Sequence, residues 1–202
     1  MSVSAVPPAD VESMTRQQLE RRRKVTEAVL DLVAESGPDT LQMRDVTARS
    51  GVALATLYRY FASKEHLLAA AAVDWQGRLV RQVAAETARR GGGAPGDRVL
   101  RFALRGLRAY QRGPHHARLM VGLFGSTDPY ASEAVAAMDG VYARELAALM
   151  PDVPPPVARA VLVTVPAVVS TGLVGWVTDR KTWPELVRDV EDVTRLLFSA
   201  VE

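Results

Sequence analysis

The chain has no cysteine, no isoleucine and no asparagine, and only 6% of its 202 residues are aromatic. Without cysteine there is neither a disulfide framework nor a thiolate metal site. Histidine is scarce as well, with three in all. The one adjacent pair, His115 and His116, cannot chelate a single ion from a helix, because neighbouring helical side chains point apart. No metal and no cofactor are expected. No serine has a recognisable histidine partner, and Asp128, Glu133 and Asp139 read as solvated or helix-capping carboxylates, so the chain is not expected to be an enzyme. An excess of one charge is missing too. The formal net charge is +2, too small to point to a nucleic-acid partner by itself. What is present in quantity is apolar: 48% of the residues are hydrophobic, enough for a soluble core.

Residues 42–64, QMRDVTARSGVALATLYRYFASK, read as two short helices around a tight turn. Met43, Val46 and Thr47 fall at helical spacing. Gly51 stops the first helix, because glycine enters the left-handed region without a Cβ penalty. Val52 plugs the core behind the turn, and Leu57 anchors a second helix of barely two turns. A helix this short does not stand alone. Its outer face, rich in hydroxyls and arginines, suits a DNA major groove. A buried helix pair whose tyrosines merely pack would leave those polar groups unexplained. The Arg21–Lys24 run just before this unit reads as a phosphate-facing cluster rather than an ordinary solvated face.

The string MRDVTARSGVALATLYRYFASKEHLL resembles the helix-turn-helix domain of the TetR family of bacterial transcriptional regulators. The Gly-Val turn, the TLYRYF run and the Ser-Lys-Glu helix start occur in the family's order and spacing. Within it, the QMR start, the GVA-x-x-TLYRYF pattern and the YQRGP break (residues 110–114) are similar to an actinobacterial, KstR-like branch. The resemblance implies DNA contacts from Arg44, Ala55, Thr56, Tyr58, Tyr60, Lys64, Gln42 and Arg23, with Arg44 and Thr56 at base edges and Tyr60 and Lys64 at phosphates. Two departures stand out. Gln42 and Ala53 occupy N-cap positions where relatives carry better caps, so both helices are expected to be firmer on DNA than off it. Ala55 replaces a frequent glycine, and its methyl group can touch a thymine methyl or exclude a base.

Taken in order, residues 1–15 read as a disordered tail without the pattern of a signal peptide. Residues 16–62 read as the DNA-binding domain, and 63–202 as a ligand-binding and dimerisation bundle. The expected fold is all-α with about nine helices, at 16–36, 42–50, 53–60, 63–89, 97–111, 115–124, 129–149, 155–178 and 184–199. The first helix presents Leu19, Val25, Ala28, Val29, Leu32 and Val33 inward. The glycine-rich stretch 91–97 reads as a connection, since no Gly-Lys-Ser/Thr follows it. Residues 160–178 lack any charge and approach the length of a membrane span. Pro166, Gly172 and Gly175 interrupt them, so burial against a second copy is the simpler reading. Leu162, Val169, Gly172, Leu173, Val190 and Leu197 are the expected dimer contacts, in a four-helix interface that the family resemblance also implies.

Function follows as a ligand-responsive, cytoplasmic DNA-binding regulator. It would be a homodimeric repressor released from a palindromic operator by a small apolar effector; the resemblance implies an acyl-CoA-type one. Trp75, Phe102, Tyr110, Met120, Phe124, Met138, Tyr142 and Trp176 are the candidate effector residues, each weighed against ordinary core packing. The alternative is a small-molecule-binding protein whose helix-turn-helix is only a scaffold. No membrane partner is expected.

Overall fold

The computed structural model describes residues 11–90 and 92–199. Among these residues the regular structure is helical throughout. The nine α-helices are α1 (Arg16–Ser36), α2 (Met43–Ser50), α3 (Leu54–Tyr60), α4 (Lys64–Arg90), α5 (Pro95–Arg112), α6 (Pro114–Phe124), α7 (Pro129–Ala147), α8 (Pro155–Val177) and α9 (Trp183–Phe198). Proline starts five of these helices within their first two positions, at α5, α6, α7, α8 and α9, where its missing N–H costs nothing. Asp128 is indeed a cap, accepting from the Tyr130 and Ala131 N–H groups at 2.9 and 3.2 Å.

The expected tail extends too far. Residues 1–10 lie outside the described residues, but Val11–Ser13 form a 3-10 turn and Met14 packs into the core. Thr15 and Gln18 then close a reciprocal capping box at the start of α1. Leu19, expected inward, is exposed instead. It stands on the first turn of α1, six residues before the buried stripe of Val25, Val29 and Val33 begins.

α1, α2 and α3 pack around Val25, Val29, Val46, Leu57 and Phe61. The boundary expected at 62/63 coincides with the Ser63 cap, whose hydroxyl accepts from the His66 N–H at 2.9 Å. α4 does not respect that boundary. Its first turns pack on α1, where the Thr26 hydroxyl donates to Asp74 Oδ2 at 2.7 Å, and its later turns run into the bundle of α5–α9. One rigid rod therefore belongs to both halves of the fold.

α8 and α9 lie against each other on one side of the bundle. Gly172 is required there, because a Cβ at this position would run into Leu186 of α9. This corrects its expected role: the close approach it permits is to α9 of the same chain. Leu173 and Val190 are likewise buried within the protomer, and Leu162, Val169 and Leu197 pack against its core. The outward face is a different register of the same helices. Val163 is 66% exposed and Leu196 72% exposed, with Ala167 and Thr171 continuing the α8 stripe. α8 was apolar all round, so periodicity could not distinguish its two faces.

Candidate nucleic-acid interface and effector cavity

The α2–turn–α3 unit forms as its sequence requires. Gly51 adopts φ 68° and ψ 13°, and its N–H donates to the Thr47 carbonyl. Neither Gln42 nor Ala53 makes a side-chain capping bond, so the first N–H groups of α2 and α3 have no capping side chain. α3 spends its inward positions on Leu57 and Tyr60 and turns Leu54, Ala55, Tyr58 and Arg59 outward. Arg44 extends into solvent from α2, with Asp45 3.7 Å from its Nε. Gln42 is exposed at the start of the same helix.

Tyr58 and Tyr60 separate cleanly. Tyr58 is 48% exposed, while Tyr60 is 2% exposed, edge-on to Phe61 with its hydroxyl sealed from solvent. Two residues span about 200° of a helix, so one ring faces out and the other in. Tyr60 is therefore a core residue and not the phosphate partner expected of it. Arg23 also differs from expectation, being drawn along its own helix to Glu27 at 2.8 Å. Arg21 and Lys24 instead line a groove of about 310 Å³ together with Ser50, Gly51, Val52, Ala53 and Thr56. Both cations belong to the Arg21–Lys24 run expected to face phosphates, while the exposed Leu54 is a residue of this surface that the sequence did not single out. The i, i+3 spacing of Arg21 and Lys24 puts both on one face of α1. Lys64 stands at the first position of α4, its Nζ donating to the Asp39 carbonyl at 3.3 Å. Arg49 is fully engaged by Glu35 through two bonds of 2.9 Å.

The bundle encloses an apolar cavity of about 60 Å³ between α4, α5, α6, α7 and α8. Phe102, Tyr110, Met120, Phe124, Met138 and Tyr142 all line it. Val169 and Leu173 line it too, which explains why they are unavailable to a partner chain. Trp75 and Trp176 do not line it. Trp75 stacks on His116 with ring centroids 4.8 Å apart, and Trp176 meets Trp183 edge-on across α8 and α9. On the other side of Leu79 and Val83 lies an open cleft of about 770 Å³. Its walls carry Arg78, Arg105, Arg108 and Arg112 beside the Trp75–His116 stack, with Glu86 paired to Arg105. Leu79 and Val83 line both spaces, one turn apart on α4.

Two helices connect the cavity to the DNA-facing unit. α4 lines it with Gln76, Leu79, Val80 and Val83 and begins at Lys64. α6 lines it with Met120 and Phe124, and its His115 Nδ1 lies 3.1 Å from the Ala34 carbonyl near the end of α1. A third link is His66, whose ring stacks on Tyr130 of α7 at 4.1 Å and 7°. Its Nδ1 accepts from the Ala62 N–H at 3.1 Å. Burial, aided by the Arg22 charge, holds its pKa below the usual histidine value, consistent with the neutral ring that an accepting nitrogen requires.

The sequence profile described as "Bacterial regulatory proteins, tetR family" matches residues 25–71. The HTH-type transcriptional repressor KstR of Mycolicibacterium smegmatis is 32% identical over 200 residues, covering 96% of this chain and 95% of that protein. KstR of Rhodococcus jostii is 30% identical over 198 residues, covering 98% and 92%. Among solved structures, a TetR transcriptional regulator from Rhodococcus sp. RHA1 superposes with a TM-score of 0.77 at 23% identity, over 93% of this chain and all of that one. FadR from Bacillus subtilis in complex with stearoyl-CoA superposes with a TM-score of 0.63 at 14% identity, over 89% and 99%.

Proposed function

The chain belongs to the TetR family of bacterial regulators, in its KstR-like branch, and is a DNA-binding transcriptional regulator rather than an enzyme; from that premise we propose that it is a homodimeric repressor, released from a palindromic operator when an acyl-CoA-type effector enters the α4–α8 cavity. The observation carrying this reading is that α4 runs unbroken from the DNA-facing unit into the wall of the cavity.

Arg44 and Thr56 read base edges, Gln42 and Ala55 stand beside them on the DNA-facing side, and Tyr58, Lys64, Arg21 and Lys24 hold phosphates. Two copies of α3 meet successive major grooves when their centres lie ~34–36 Å apart or a multiple of it. The second copy covers the outward stripe of Val163, Ala167, Thr171 and Leu196. α8 is the one helix among the described residues long and apolar enough to cross a membrane, and a partner subunit hides its exposed face equally well. The protein then acts in the cytoplasm, where its operator is.

The cavity of about 60 Å³ has room for a few water molecules. Any larger effector must push its walls apart. α4 and α6, which touch both the cavity and the DNA-facing unit, move with those walls. A hundredfold release of DNA needs about 2.8 kcal/mol of differential effector affinity between the two states. For an acyl-CoA, the apolar cavity suits the acyl body and the neighbouring arginines suit phosphates. The fold neighbour FadR holds stearoyl-CoA, which supports this class.

The test is operator binding by Arg44→Ala and Lys64→Ala. Arg44→Ala is expected to lose ~1–3 kcal/mol and relax sequence preference at one base position. Lys64→Ala is expected to weaken all sequences alike and reduce the salt slope by about 1. Unchanged binding by both variants would contradict the proposed interface.

A further inference from the structure

Most of the cavity wall is hydrocarbon, but its few polar atoms are not evenly satisfied. The Tyr110 hydroxyl donates to Gln76 Oε1 at 2.5 Å. The Tyr142 hydroxyl is also sealed from solvent, and it has no hydrogen-bond partner. Its ring is held by packing at 5.2 Å from Phe102, so its position is fixed by neighbours that supply nothing polar. The two phenols lie close enough to influence one another, and burial pushes the pKa of both upward. Both stay neutral at any physiological pH, as donors. A buried, unpartnered hydroxyl destabilises a protein unless something else uses it.

The wall also limits what that something can be. No Lys, Arg or His is among the lining residues, and the one carboxylate, Asp139, is exposed to solvent. No ion pair or hydrogen bond to Asp139 is present among the described residues. A carboxylate or phosphate buried here would find no cation to pair with.

We infer that the Tyr142 hydroxyl, beside the Tyr110–Gln76 pair in the α4–α8 cavity, selects an effector whose buried apolar body carries one uncharged oxygen. The Tyr142 O–H donates to that oxygen. If it is a hydroxyl, it can donate in turn to the Tyr110 oxygen, which keeps a free lone pair while its own O–H points at Gln76 Oε1. The inference rests on the effector-cavity reading above and adds the chemistry of the ligand's buried part. An unsubstituted hydrocarbon tail leaves Tyr142 unpaired. A tail ending in a carboxylate is rejected.

The experiment uses three probes with one two-ring body: bicyclohexyl, 4-cyclohexylcyclohexanol and 4-cyclohexylcyclohexanecarboxylate. Each is titrated into the full chain without DNA, for wild type and Tyr142→Phe. The variant is expected to bind the alcohol about tenfold more weakly, the size of one lost neutral hydrogen bond, and the hydrocarbon equally well. Unchanged hydrocarbon affinity also shows that the cavity survives the substitution. The carboxylate is expected to bind most weakly to both proteins. Equal effects on alcohol and hydrocarbon, no effect on either, tightest binding of the carboxylate, or no binding by any probe would overturn the inference. Operator binding, measured separately on the same two proteins, keeps the readings apart. Retained operator binding with no Tyr142 effect sinks only this inference. A Tyr142 effect in a protein that binds no operator sinks the repressor reading and leaves the cavity chemistry standing.

Discussion

Val163→Glu combined with Ala167→Glu is expected to convert the protein to a folded monomer and to lower operator affinity by at least about a hundredfold. Both positions are exposed on the outward stripe of α8, and Val163 is 66% exposed. Surface substitutions of this kind change the stability of an isolated subunit little, within about 0.5 kcal/mol. Two carboxylates facing their symmetry copies, by contrast, place four charges in a desolvated interface with no cation to pair them. Losing the dimer removes the second recognition helix and the effective concentration, on the order of millimolar, at which it meets its half-site. Sedimentation and helix content by circular dichroism check the first part, and titration of a palindromic operator checks the second. An intact dimer would move the interface to another face. A monomer that still binds the palindrome tightly would remove dimerisation from the mechanism.

Leu57→Ala is expected to be the most damaging single truncation in the DNA-facing unit. Leu57 is fully buried, and α3 has seven residues and no side-chain cap. Leucine-to-alanine changes at such sites cost about 2–5 kcal/mol, and a helix this short has no intrinsic stability to absorb the loss. In a chain of this size, at about 2–4 °C per kcal/mol, the loss lowers Tm by roughly 4–20 °C. Operator binding is expected to fall further than stability alone requires, because Arg59, Tyr58 and Thr56 depend on that one anchor for their direction. Thermal unfolding and DNA titration of the same sample separate the two effects. A variant with unchanged Tm would mean that α3 is held by something other than Leu57.

The helices were legible because the chain punctuates them. Gly37 and Pro38 end α1 where expected, and prolines 129 and 155 open α7 and α8 at the expected residue. The α2–α3 turn was legible from Gly51 alone. Six of the eight effector candidates reached one cavity, because aromatic and methionine residues at helical spacing on α5, α6 and α7 share a centre. Faces were harder. Tyr58 and Tyr60 carry the same chemistry, and only the direction of a two-turn helix tells the groove residue from the core residue. On α8 every face is apolar, so the residues chosen for a partner chain were those that fill the protomer. Trp75 fell outside the cavity because it lies on the Arg78 side of α4, where His116 stacks on it. Such distinctions are set by which neighbour arrives, and a pattern along one chain does not contain that information.

The most direct test of the central reading is selection of genomic DNA fragments by the wild-type protein at two salt concentrations, beginning with the fragment upstream of its own gene. A repressor of this kind is expected to retain one or a few fragments sharing a palindrome, with affinity falling steeply between about 50 and 200 mM salt as phosphate counterions are released and rebound. Weak retention of all fragments alike, with no shared sequence at either salt concentration, would contradict it.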